Sequence, residues 1–439
     1  MKRINGFLLA FIMIFSLNAQ EVDRIWTLEQ CVKYAMDNNI SIKQSENNIQ
    51  LQETDLEQAR TQFLPSVSGS AGLGISFLSP SPSIHDNFNN NFGISAGTTL
   101  YNGNRNRLAV ESAKTQLDIS YLDTEVLKND LAIRVVNAYL NVLYNRESVK
   151  IAQEQVLVSQ QLLDRMNEFV DAGVNARNDL FQSEATLATN EENLVTAQNN
   201  LEVALLELAQ LLQIPYENFD VADVNIDISK AELKYSNSNM IYDKALNWRP
   251  EIMVAEKQIE NADILIRSAK AGKLPVISAS YSFGTGYGYD FESSLDQPNY
   301  FNQIKDGINN SLGVSLSVPI FDRFNTKQNT QRAKIQRDIS ELKLENQKIL
   351  LQTEIERAYL DALTSLKTLE AAEKSVKAQE EAFRTAQERY NLGGMTSYDF
   401  EQVRNQLVQA QSSYIRAKYN YIFRSKFLEI YYGMPITLE

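Results

Sequence analysis

RYNLGGMTSYDF, residues 389–400, breaks a very long helical pattern once: residues 320–392 before the glycine pair and 395–432 after it contain no glycine or proline. FVDAGVNARNDL, residues 169–180, makes the same kind of break around Gly173. Glycine reaches left-handed backbone conformations cheaply, so both stretches read as points where a helix stops and the chain turns back.

The flanks carry a seven-residue rhythm. Val135, Val142, Val149, Val156, Leu163 and Val170 precede the first break, and Leu180, Leu187, Leu194, Leu201 and Leu208 follow it. Ile355, Ala362, Leu369, Val376, Phe383 and Tyr390 precede the second, followed by Phe400, Leu407, Tyr414, Tyr421 and Leu428. A sustained period of seven keeps one seam facing a neighbouring helix and imposes a left-handed supercoil, so each break is the tip of a coiled-coil hairpin.

The two hairpins belong to one repeated plan. A shift of 220 lays NAYLNVL (137–143) on RAYLDAL (357–363), Gly173 on Gly393, Asp179 on Asp399 and Pro215 on Pro435; a shift of 210 lays ARTQFLPSVSGS (59–70) on AKAGKLPVISAS (269–280). The two shifts imply an insertion in the second copy between Pro275 and Gly313. The expected organisation is a first repeat over 20–215, an equatorial linker over 216–249 and a second repeat over 250–439.

Ahead of each long helix the rhythm changes to two. Val67, Ala71, Leu73, Ile75 and Phe77 alternate with serines and glycines, as do Phe92, Ile94, Ala96 and Leu100. Ile277, Ala279, Tyr281 and Phe283, then Leu312, Val314, Leu316, Val318 and Ile320, repeat the pattern. Alternation with one apolar face predicts strand pairs over 65–101 and 275–321, of a length that crosses a bilayer in a barrel. The polar stretches 79–91 and 287–309 read as the loops joining them, outside the cell. Four strands cannot close a barrel, and an open edge in lipid leaves backbone groups unsatisfied, so several copies must share one.

Composition agrees with few turns. Among 439 residues there are 17 glycines and 9 prolines, about half the usual share. Lys2 and Arg3 precede the apolar run Phe7–Phe15 and small residues near Ala19, which predicts a secretory signal over 1–19. Gln20 stands where a lipoprotein would need cysteine, and the lone Cys31 excludes an internal disulfide. A formal charge of −13, more negative still once Lys2 and Arg3 leave, argues against nucleic acid as a partner. Catalysis finds no foothold: His85 is the only histidine, and GTGYG (284–288) lacks the lysine and helix of a phosphate loop. No cofactor is expected.

LEQCVKYAMDNNISIKQSENNIQ (28–50) with QFLPSVS (62–68), KALNWRPEIMVAEKQIENA (244–262) with KLPVIS (273–278), and the two tips resemble the TolC-type outer-membrane channels of efflux pumps and type I secretion. The likeness runs through essentially the whole mature chain. It implies a mainly α protein with transmembrane β: a homotrimer whose strands form one shared 12-stranded barrel in outer-membrane lipid, on a periplasmic α-barrel of helical hairpins. It implies a Gram-negative outer-membrane location and a passive export duct served by a periplasmic adaptor and an inner-membrane pump. Two other readings compete: a periplasmic adaptor, which would have one hairpin and no strand pairs, and a secreted coiled-coil scaffold, which leaves the strands unexplained.

By resemblance, Ala172, Gly173 and Val174, with Leu392, Gly393 and Gly394, take the adaptor-docking role, and Asp399, Asp179, Tyr390 and Arg389 form the periplasmic constriction. Asp399 has two readings. In a three-fold ring it would attract cations; with Thr396 it fits a helix-capping box. Gln402 stands where some members of the family carry a second acidic residue. Tyr390 and Arg389 could hold the closed tip by hydrogen bonds, while Tyr390 also completes a heptad seam.

Overall fold

Where the sequence alternates with period two, the chain forms sheet, and where it repeats with period seven it forms helices of great length. The structure, a computed structural model, describes residues 25–76, 87–223, 232–291 and 297–434. The expected signal over 1–19, His85 and Pro435 lie outside the described residues. The order is β1 (Ile25–Trp26), α1 (Leu28–Asn38), α2 (Ile40–Thr61), β2 (Ser66–Ser76), β3 (Asn87–Tyr101), α3 (Arg105–Asp171) and α4 (Arg177–Leu212). Then come β4 (Asp220–Val221), α5 (Ser238–Ala245), α6 (Pro250–Lys270), β5 (Val276–Asp290), α7 (Tyr300–Asp306), β6 (Asn309–Ser317), α8 (Asn325–Asn391) and α9 (Ser397–Tyr432). The succession helix, strand, strand, long helix, return helix therefore occurs twice.

Helices α3 and α8 are each 67 residues, about 100 Å long at 1.5 Å per residue. Their return helices α4 and α9 are each 36 residues, and α2 or α6 covers most of the remaining length. Among the described residues no helix is long and apolar enough to cross a membrane.

The four long strands make one antiparallel sheet in the order β2-β3-β5-β6, so β2 and β6 are its edges. Registers Val67↔Ala96, Ala96↔Tyr281 and Tyr281↔Leu312 put the apolar residues of all four strands on one face. Val67, Leu73, Leu312 and Val314 on that face are exposed. The opposite face is mostly serine, glycine, asparagine and threonine, tied at one point by the Ser68 and Ser95 hydroxyls 2.8 Å apart.

Three expectations need correction here. Residues 87–91 are not loop: β3 starts at Asn87, and Asn89 pairs with Gly74 and Gly288. Residues 287–290 likewise continue β5, so GTGYG lies in a strand, and the second connection contains helix α7. In the other direction, β6 ends at Ser317, so Val318 and Ile320 lie beyond it. A strand with one polar face has the composition of a loop, which is why the first stretch reads as one.

The cores lie in the middle of the molecule. Leu28, Cys31, Val135, Tyr139, Val142 and Leu208 pack where α1, α3 and α4 meet, and Ile241, Ile355, Ala362 and Leu428 pack where α5, α8 and α9 meet. The repeated Ala-Tyr-Leu of the two long helices pins the linker: Tyr139 Oη donates to the Ala222 carbonyl at 2.8 Å, and Tyr359 Oη to the Ser236 carbonyl at 3.1 Å. Strand β4 pairs in parallel with β1, Ile25↔Asp220 and Trp26↔Val221, which ties the 216–249 segment to the strand that precedes α1. Cys31 is fully buried, and burial with the nearby Glu29 carboxylate pushes its thiol up to about 12.

Candidate functional site

Both hairpin tips are built by the same backbone motif. Gly173 and Gly393 each have φ of 74°. Gly173 N–H donates to Val170 O at 3.0 Å and Val174 N–H to Phe169 O at 2.9 Å; Gly393 donates to Tyr390 O at 3.1 Å and Gly394 to Arg389 O at 2.9 Å. These paired bonds close a helix C-terminus and require the left-handed residue that glycine supplies. Gly394 is not in that region, so one glycine of the pair makes the turn. Val174 and Leu392 stand exposed at 72% and 87%, and Ala172, Gly173, Gly393 and Gly394 are exposed as well. The six residues expected to dock a partner thus form two solvent-facing tips, each with one large apolar side chain.

Asp179 and Asp399 occupy equivalent positions, in the first turns of α4 and α9, where a carboxylate complements the helix dipole. Their surroundings differ. The Thr396 hydroxyl accepts from Asp399 N at 3.1 Å and donates to Asp399 Oδ2 at 2.7 Å, and Asp399 is exposed. Asp179 is half-buried, accepts from Asn175 Nδ2 at 3.3 Å, and lines a 660 Å³ polar groove between α4 and α9 with Gln182, Tyr398, Glu401 and Gln402. Capping of α9 is therefore present in the protomer, in a partial form in which the hydroxyl rather than the backbone of Thr396 meets the carboxylate.

Tyr390 contributes its ring. It is 8% exposed and packs with Ala386, Phe400, Leu162 and Phe383. Arg389 is exposed and supplies the carbonyl that caps the turn. The arginine that bridges the two hairpins is Arg165 of α3, whose guanidinium lies 5.1 Å from the Phe169 ring and 5.5 Å from the Tyr390 ring and donates to Asn391 Oδ1 and, at 3.2 Å, to Asn391 O.

A second bridge is buried. Arg404 of α9, 4% exposed, reaches α3 and donates to Ser159 Oγ at 3.0 Å while pairing with Glu401 at 2.5 Å. Asn190 of α4 donates to the same Ser159 oxygen. Burial raises the Glu401 carboxyl above its ordinary range, against the pull of Arg404, and burial lowers Arg404 against the pull of Glu401. These contacts join residues 31 and 245 positions apart in the chain, so no periodic signal marks them; a charged pair interrupting an apolar seam is the one trace they leave.

Among the described residues, a sheet with an exposed apolar face and no strand beyond β2 or β6 is carried on two long hairpins of one repeated plan. The family model described as outer membrane efflux protein matches residues 32–212 and again 241–429. The chain belongs to the outer membrane efflux protein family. It is 24% identical to the pyoverdine export outer membrane protein OpmQ of Pseudomonas putida over 71% of this chain and 63% of that one, so the match spans less than two thirds of that relative's length. It is 22% identical to the outer membrane efflux protein BepC of Brucella suis, over 91% of this chain and 83% of BepC. Among solved structures, the channel CusC superposes with a TM-score of 0.78 at 18% identity, covering 93% of this chain and 92% of CusC. The fold is that of outer-membrane channels, and outer membrane is the location that the family gives.

Proposed function

We propose that three copies of this chain form the exit duct of a tripartite efflux pump or type I secretion system, receiving substrate from a periplasmic adaptor and an inner-membrane pump. One observation carries the reading: the four-stranded sheet has an apolar face exposed across all strands and, among the described residues, unpaired edges at β2 and β6. Such edges are untenable in lipid unless each β6 pairs with a β2 of another copy. Three such sheets give the twelve strands of a membrane barrel. The hairpins then hang into the periplasm with Val174 and Leu392 at the far end, where an adaptor would dock, and Asp399 and Asp179 near the entrance. Family membership, the second hairpin and the sheet speak against the adaptor and scaffold readings.

Cross-linking in native outer membranes tests this. Three copies should be trapped, in a species extracted only with detergent and dissociated by heat. A soluble monomer in periplasmic extracts would overturn the reading.

A further inference from the structure

Strand β5 runs past its neighbour. Its pairing with β6 ends at Gly284↔Asn309, while its pairing with β3 continues to Asn87↔Asp290. Among the described residues no strand lies beside this edge of 285–290, and helix α7 with its flanks fills the place. Gln303 Oε1 accepts from Gly288 N at 3.0 Å, and Gln297 accepts from Asp290 N at 3.0 Å and donates to Asp290 O at 2.6 Å, so side chains take over the role of a missing strand.

The face against which α7 lies is the apolar one. Thr285 Oγ1 donates to Ile304 O, the Tyr300 ring sits 4.9 Å from the Tyr287 ring, and Asn90 Nδ2 donates to Tyr300 Oη at 3.2 Å. Thr285, Tyr287 and Asn90 share strand parity with Phe92, Tyr281 and Phe283. Half of α7 is turned to the wall through Gln303 and Ile304, and the other half presents Phe301, 80% exposed. Tyr289, Phe291 and Ile308 extend this patch, each exposed.

We propose that α7 is a membrane-interface anchor: it folds back onto the outside of the barrel and seats Phe301 at the boundary between headgroups and acyl chains of the outer leaflet. The level fits. From Ile277 to Tyr287 is about 33 Å along the strand at roughly 3.3 Å per residue, or about 25 Å along the barrel axis at a tilt near 40°, the height of the apolar band of such barrels. Aromatic side chains collect at both ends of this span, Phe88, Tyr287, Tyr289, Tyr300 and Phe301 above and Phe321 with Phe324 below. Aromatic rings favour that boundary because one part is apolar and another polarisable or hydrogen-bonding. The patch is continuous with the apolar wall, which selects lipid as its occupant. This inference rests on the outer-membrane reading above.

The test is collision accessibility of a nitroxide in the trimer reconstituted in phosphatidylethanolamine and phosphatidylglycerol vesicles. Phe301→Cys and Ile308→Cys are labelled separately, with Leu312→Cys on the open wall as reference; the buried Cys31 stays unlabelled in the native fold. Oxygen should exceed a water-soluble nickel chelate severalfold at 301 and 308, as at 312. Oxygen preference at 312 with nickel preference at 301 and 308 would put α7 in water and overturn the anchor. Poor access of both quenchers at 301 and 308 would mean cover by a neighbouring copy and overturn it equally. Loss of oxygen preference at 312 would instead remove the membrane wall itself, and with it the reading on which the anchor rests. If Phe301→Cys fails to assemble, Ile308→Cys carries the same comparison.

Discussion

The Tyr390 and Phe400 rings stack across the second hairpin turn, with centroids 4.7 Å apart and planes inclined by 12°. Tyr390 is in the last turn of α8 and Phe400 in the first turns of α9, so the stack clamps the two helices around Gly393, with Phe383 on its other side at 5.6 Å. Phe400→Ala removes the centre of that small cluster, a loss of about 3–5 kcal/mol for a buried phenylalanine. Because the sheet lies at the opposite end of α8, amide exchange should accelerate over 386–404 while heat dissociation of the proposed trimer stays unchanged. Unaltered protection at the tip would show that something other than the stack holds it closed.

The two tip glycines should respond differently to alanine. Around Gly393 nothing lies within 4 Å of the place an added methyl would take, but its φ is 74°, so the penalty is backbone strain alone, about 1–2 kcal/mol. Gly394 has an ordinary φ, and an added Cβ would meet the Arg389 carbonyl at 3.6 Å, an unstrained contact. Gly393→Ala should loosen the tip in amide exchange, and Gly394→Ala should match the parent. Equal effects would remove the left-handed turn as the reason for the first glycine.

The pair of buried Arg404 and half-buried Glu401 predicts an asymmetry. Glu401→Leu strands an arginine that cannot discharge, and breaking a buried pair costs about 3–5 kcal/mol. Arg404→Leu strands a carboxyl whose pKa burial already raises, and which can take a proton. A carboxyl with a folded pKa above its unfolded value is least unfavourable at low pH and becomes a burden as pH rises through the folded pKa. The deficit of Arg404→Leu in unfolding of the tip should therefore shrink as pH falls from neutral toward the ordinary carboxylate range, whereas that of Glu401→Leu should not. A pH-independent deficit in Arg404→Leu would mean that Glu401 gains water once its partner is gone.

Cys31 should be inert. Its thiol is fully buried beside α3 and is pushed up to about 12, so at pH 8 the folded protein presents almost no thiolate. Maleimide should label it only after denaturation. The same shift means that any stability it confers is complete below the unfolded thiol pKa and declines as pH rises through the folded one. Labelling of the native trimer at pH 8 would contradict this packing.

Much of the architecture is legible because its signals are local. The C-terminal ends of α3 and α8 follow the heptads to within a few residues, since a seven-residue period and a glycine break both act within a few turns. Asn87–Asn91 is not legible as strand, because one of its faces is polar and its partners on the other, Tyr287 and Tyr289, lie about 200 positions away. The same distance hides Arg165 on Asn391 and Arg404 on Ser159. At the tips, position is readable from the repeat and environment is not: Asp179 and Asp399 align, yet one lines a groove and the other faces solvent.

That difference sharpens what Asp399 does. Its Oδ2 is engaged by the Thr396 hydroxyl and its amide by the Thr396 oxygen, so part of its role is to hold the start of α9. Asparagine can accept the same hydroxyl and serves near helix starts, so Asp399→Asn should lower stability by no more than a few tenths to about 1 kcal/mol. If the exposed remainder of the carboxylate faces a shared lumen, three copies concentrate negative charge at the narrowest point and favour cations. Planar-bilayer recordings separate the two roles. The expected result for Asp399→Asn is an intact trimer with reduced cation preference, and Asp179→Asn, shielded in its groove, should change selectivity less. Unchanged conductance and selectivity in Asp399→Asn would leave capping as its whole function and take the residue out of the entrance.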